Sequence, residues 1–216
     1  MLAHLSKDED LIQAFKDGQD IHKTTASKVF NKPIEEVTSF ERSAAKAINF
    51  GLIYGKQAFS LAQDLGISKA KADEYIQQYF AQYPKIKDFL DSMVEDTKQT
   101  GYTKTLFNRI RYVKEINSTN FVQRGEAQRI AMNTPIQGTA ADVIKIAMVK
   151  VYNRIKKEGL KSRLILQVHD ELLIETFKQE KDKIKTILKD EMENAVHFCV
   201  NLLIDINEGE SWYDTK

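Results

Sequence analysis

Four residues recur at every fourth position in one short stretch: Arg42, Lys46, Phe50 and Tyr54. In a helix of about 3.6 residues per turn, each such step advances the helical wheel by only about 40°. All four therefore share one broad face, with two cations followed by two aromatic rings along the axis. That order suits a nucleoside triphosphate laid lengthwise. Arginine forks onto phosphate oxygens and lysine supplies a point charge, while an aromatic face can stack on any base. A plain amphipathic helix would give the same spacing, but it gives no reason for the cations to precede the rings.

A second constellation lies in Gln167-Val-His169-Asp170-Glu171-Leu172, between the apolar runs Arg163–Val168 and Leu172–Glu175. Apolar runs flanking a short polar tip read as a β-hairpin. A carboxylate held at such a tip is well placed for Mg²⁺, a hard ion that prefers oxygen ligands and keeps substrate phosphates in its shell. Asp170 is the main candidate and Glu171 a weaker neighbour. A surface turn rich in His and Asp is the plainer alternative, with His169 orienting Asp170. Arg129 and Asn133 stand four apart, so one helix face can carry both. Gln137, with Gly138 and Thr139, precedes the next helix. His22 near a helix start is by itself an ordinary surface residue.

These residues need elements to position them. Ser6 to Glu9 reads as a capping box opening a helix through about Phe15. Further helices are expected over His22–Phe30, Glu41–Tyr54, Lys69–Tyr83, Pro84–Thr100, Asn120–Asn133, Thr139–Lys157 and Gln179–Phe198. The segment Gly101–Val113 is β-rich around Asn108 and reads as a hairpin, with Arg109 and Arg111 either solvated or against a nucleic-acid backbone. Leu202–Ile206 reads as a closing strand. Helices first, then strands packed with helices, make an α+β pattern.

Composition sets outer bounds. The 216 residues are enough for one domain or two modest ones. Lys+Arg 32 against Asp+Glu 31 leaves a formal charge of +1, so any nucleic-acid site must come from local clustering. The single cysteine, Cys199, cannot form an internal disulfide and is expected as a buried thiol in a reducing compartment. No signal peptide or membrane span is apparent, which points to the cytoplasm. Gly51–Lys56 mimics part of a phosphate-binding loop, but the spacing is short and Gln57 stands where Ser or Thr is required. The histidines and the cysteine show no zinc spacing.

The Arg42–Gly55 stretch resembles the nucleotide-binding fingers helix of family A DNA polymerases, of the bacterial polymerase I type. Asp20-Ile21-His22, Arg129–Asp142 (RIAMNTPIQGTAAD) and Gln167–Leu172 resemble that family in the same order. The resemblance implies a mainly helical fingers subdomain, residues 12–123, and an antiparallel-sheet palm subdomain, residues 1–11 and 124–216. It implies template-directed addition of deoxynucleotides (dNTPs) to a primer 3′ end, in DNA replication or repair, by a two-metal Mg²⁺ mechanism. Asp170 and Lys46 become the catalytic candidates. His22, Arg42, Lys46, Phe50 and Tyr54 become dNTP-binding, and Arg129, Asn133, Gln137 and His169 contact the primer–template DNA. Asp170, with Glu171 more weakly, becomes a metal ligand.

The family's other metal-binding aspartate sits on a strand immediately upstream of residues resembling Met1–Ser6. The palm is thus expected to be incomplete at the N-terminus, without the thumb and exonuclease regions, and the isolated chain inactive. A complementary N-terminal polymerase segment is then an expected partner. The alternatives are a catalytically silent DNA- or nucleotide-binding module, or one half of a split polymerase.

Overall fold

The computed structural model describes residues 1–215. They form two compact units, Met1–Gly138 and Thr139–Lys216. Most of the described residues are helical, and two small antiparallel hairpins lie among them, so the α+β reading holds.

The first unit opens with α1 (Leu2–Ser6) and α2 (Glu9–Lys16). The expected Ser6 cap is corrected here. Ser6 is the buried last residue of α1, and Asp8 caps α2 by accepting from the Leu11 N–H at 3.0 Å. Asp20 then caps α3 (Ile21–Val29). Thr38 and Glu41 form a reciprocal capping box that starts α4 (Ser39–Ile53). An additional helix, α5 (Ala58–Leu65), has no counterpart among the sequence expectations; Gly66 ends it with φ near 65°. Ser68 caps α6 (Lys69–Gln82), and Pro84 starts α7 (Pro84–Thr100), where its missing N–H costs nothing.

Strands β1 (Tyr102–Lys104) and β2 (Ile110–Tyr112) pair antiparallel, with Tyr102 opposite Tyr112. Asn108 takes the left-handed conformation in their connection, at φ 62°. Beneath them Val113, Ile116, Ala127 and Ala131 form a buried cluster, joined by Val94 and Ile130. Helix α8 (Phe121–Asn133) runs directly into a π-helical turn, Thr134–Gly138. Gly138 is required there by space: a Cβ would stand 2.5 Å from Thr105 Cγ2.

The second unit contains α9 (Thr139–Lys157), β3 (Arg163–Val168), β4 (Glu171–Glu175) and α10 (Lys181–Glu193). Val151 and Ile155 of α9 pack against Ile184 and Ile187 of α10, with Leu172 and Ile174 of β4 against them. Two expectations are corrected. Helix α10 ends at Glu193 rather than Phe198, where Lys150 Nζ donates to the Asn194 and Ala195 carbonyls at 2.9 and 3.0 Å. Leu202–Ile206 is not a strand: it alternates as a strand would but pairs with none among the described residues, and its Ile204 N–H turns to the Glu193 carboxylate. Cys199 lies beyond the helix end and is half-buried rather than buried.

Candidate nucleotide and metal sites

Helix α4 buries Ala44, Ala45, Ile48, Asn49, Gly51 and Leu52. That stripe leaves Arg42, Lys46 and Phe50 on its exposed side. Tyr54 caps the helix and remains 39% exposed, close to the 45% of Phe50. The two rings lie nearly parallel, with centroids 6.4 Å apart. The expected order of two cations and then two rings is therefore present on one open face.

Helix α3 packs across that face's near edge and brings His22 to it. The His22 ring sits 5.6 Å from the Phe50 ring. Its Nδ1 lies 3.1 Å from Asn49 Nδ2, and Asn49 is in turn bonded to the Thr25 hydroxyl. Burial lowers the His22 pKa below its ordinary value. The charges of Arg42 and Lys46 act the same way, against the opposing pull of Asp20.

Asp20 joins the two helices. Its Oδ1 accepts from the backbone N–H groups of His22 and Lys23, while Oδ2 accepts from Arg42 Nε at 2.6 Å. Partial burial works to raise the Asp20 pKa, but the Arg42 and backbone hydrogen bonds outweigh it and hold the carboxyl below its usual value. Lys46 is exposed and has no hydrogen bond or ion pair among the described residues, so its charge remains available.

Past the rings the chain turns sharply. Gly55 has φ 72°, and a Cβ there would lie 2.5 Å from Met132 Cε and 3.1 Å from Arg129 Cγ. Glycine suits this turn, since its positive φ strains other residues and any Cβ would push Met132 and Arg129 of α8 aside. The result is a cleft of roughly 430 Å³ lined by Phe50, Gly51, Tyr54, Gln57, Ser60 and Arg129, among others. Lys56 pairs with Asp64 at its edge, and its stem covers Gly51. This is a helix end, with none of the strand-to-loop geometry of a phosphate-binding loop. Asn133 lies one turn beyond Arg129, and its Oδ1 is buried without a hydrogen-bond partner. Gln137, in the π-helical turn, is exposed.

His169 and Asp170 form a two-residue connection between β3 and β4, with Val168 opposite Glu171. His169 adopts φ 50°, the positive value such tight connections favour. Gln167 Nε2 donates to its carbonyl at 2.7 Å. Asp170 and Glu171 are both exposed at this tip. They offer the oxygen donors Mg²⁺ prefers. Among the described residues, however, no group of three or more His, Cys, Asp or Glu side chains could hold a metal ion. Asp170 and Glu171 thus fit part of a metal site and not a whole one.

The profile of DNA polymerase family A matches residues 1–214. The chain belongs to that family. It is 54% identical over its full length to DNA polymerase I of Caldicellulosiruptor bescii and 46% identical to that of Geobacillus stearothermophilus, covering 25% of each relative. DNA polymerase I of Borreliella burgdorferi is 49% identical over 98% of the chain. The family A chain thus spans about a quarter of the length of these relatives. Among solved structures, the POL domain of Pol1 from M. smegmatis, in complex with DNA primer-template and dNTP, matches with a TM-score of 0.94 at 43% identity. That match covers 99% of this chain and 38% of the other.

The site residue missed by sequence reasoning is Asn49. A buried amide within an otherwise apolar stripe of Ala, Ile and Leu was the available signal, because a buried polar group requires a partner. Asp20 stood inside a quoted motif, but its link to Arg42 spans 22 positions and no local pattern reveals it.

Proposed function

We propose that this chain supplies the fingers (12–123) and most of the palm (1–11 and 124–216) of a DNA-directed DNA polymerase. The parent enzyme adds dNTPs to a primer 3′ end in cytoplasmic replication or repair. What supports this most directly is the α4 face, with Arg42, Lys46, Phe50 and Tyr54 in order and His22 docked beside Phe50. Arg42 and Lys46 hold the triphosphate, and the rings meet the sugar and base. Arg129, Asn133 and Gln137 hold the primer–template duplex, where minor-groove acceptors are common to all base pairs and serve an enzyme that must not prefer sequence. His169 touches the primer end.

Asp170, with Glu171 beside it, would hold Mg²⁺ through carboxylate oxygen and would need further ligands to complete the centre. When bound, paired ions supply activation of the attacking hydroxyl and stabilisation of the leaving group. Two adjacent carboxylates on one turn do not make a two-ion site, so the isolated 216-residue chain extends no primer.

Single-turnover incorporation by the complete polymerase tests the reading. Lys46→Ala removes a charged contact of about 1.5–3 kcal/mol and slows incorporation roughly 10- to 100-fold. Asp170→Asn abolishes extension. Both variants still bind primer–template as the parent does. Unchanged incorporation by either variant overturns that residue's role.

A further inference from the structure

We infer that Asn49 is a positioning residue that fixes His22 in the tautomer carrying its proton on Nε2, so that neutral His22 presents a hydrogen-bond donor to the triphosphate. The inference rests on the reading of the α4 face as a triphosphate site. It adds a residue that touches no substrate.

The geometry is specific. Asn49 is 6% exposed on the buried side of α4, so its amide must find its partners within the protein. Its Nδ2 lies 3.1 Å from His22 Nδ1 and 3.1 Å from the Thr25 hydroxyl, while its Oδ1 accepts from that hydroxyl at 3.2 Å. With Nδ2 facing the ring, the amide donates and Nδ1 accepts, which puts the neutral ring's proton on Nε2. The Phe50 ring, 5.6 Å away, restrains the imidazole from a second side. Nε2 has no hydrogen-bond partner among the described residues.

The tautomer matters because the surroundings of His22 favour its neutral ring. Three charged groups act on it: Asp20 at the start of its own helix, and Arg42 and Lys46 on α4. Burial and the two cations together outweigh Asp20 and lower the pKa. A neutral imidazole of the other tautomer would point a lone pair at an anionic substrate. With Asn49 in place, Nε2 carries a proton in both the neutral and the protonated ring. Nε2 then offers phosphate a donor on either side of the His22 titration.

Asn49→Asp reverses the constraint at nearly constant shape. The new carboxylate accepts from Nδ1–H and raises the His22 pKa. Below that raised pKa the imidazolium still donates through Nε2. Above it, the proton remaining on the neutral ring is on Nδ1 and the donor is lost. In the complete polymerase, we expect a descending limb in the pH profile of single-turnover incorporation, with a fall of about tenfold for loss of a bond to a charged group. The parent lacks this limb, and His22→Gln in the same background removes it. A variant whose profile parallels the parent's overturns the inference.

A second measurement needs neither catalysis nor the Asn49→Asp variant. Proton–nitrogen correlation of the His22 ring in the parent polymerase, assigned by difference against His22→Gln, should show the proton on Nε2. A proton on Nδ1 overturns the inference. A parent enzyme that extends no primer would instead overturn the functional reading and leave this ring assignment standing.

Discussion

Arg42 and Asp20 are joined by a 2.6 Å ion pair that ties the cation-bearing end of α4 to the first turn of α3. The carboxylate has two uses, since its other oxygen caps the helix carrying His22. These uses separate by substitution. Asp20→Ala loses the cap and costs about 1 kcal/mol. Asp20→Asn keeps a capping oxygen and loses only a half-exposed ion pair, worth about 0–1 kcal/mol. Denaturant unfolding should rank Ala well below Asn; equal losses would show that the cap contributes nothing.

Glu41 gives a pH signature. The hydrogen bond from Lys32, followed by those from the Thr38 N–H and hydroxyl, pushes its carboxyl down to about 2. A group whose pKa is depressed by folding stabilises fully above its unfolded value and loses that contribution as pH falls through the folded one. The Glu41 contribution should therefore fade between its ordinary 4.5 and about 2. Carboxyl-carbon NMR of Glu41 should titrate near the lower value. A midpoint at the ordinary value would mean that the capping box does not persist in solution.

Gly138→Ala puts a methyl 2.5 Å from Thr105 Cγ2. Overpacking of this kind costs about 1–3 kcal/mol. Thr105→Ser removes the obstructing methyl and keeps the hydroxyl that accepts from the Phe107 and Arg109 N–H groups. The double variant should recover most of the loss in thermal denaturation. Additive losses would place the cost elsewhere.

Phe50 has no hydroxyl to offer the sugar edge of a nucleotide. A dideoxynucleotide, lacking its own 3′-hydroxyl, then loses a hydrogen bond that nothing replaces. In the complete polymerase the parent should discriminate against dideoxynucleotides, and Phe50→Tyr should largely abolish this while sparing ordinary dNTPs. Competition between the two nucleotide types in primer extension measures it, and equal discrimination by both forms would refute the placement of Phe50.

Most helices were legible because their signals are local. Thr38 with Glu41, Ser68 before Lys69, and Pro84 each mark a boundary within a few residues. Helix α5 was not read, since its start at Gln57 has no side-chain cap to announce a new helix after the Gly55 turn. Leu202–Ile206 carried the right alternation, but a strand is defined by its partner and no local pattern supplies one. The α4 face was readable from four-residue spacing alone. The Asp20–Arg42 and His22–Asn49 links were not, because they depend on how α3 and α4 cross.

The π-helical turn has a consequence for the line of polar residues running from α8. From Arg129 to Asn133 the α-helix drifts about 40° in phase. A π turn is wider, at roughly 4.4 residues, so the step from Asn133 to Gln137 drifts about 30° the opposite way. The two offsets nearly cancel. An uninterrupted α-helix would wind the third residue about 80° away from the first, whereas the π turn brings Gln137 back to nearly the phase of Arg129.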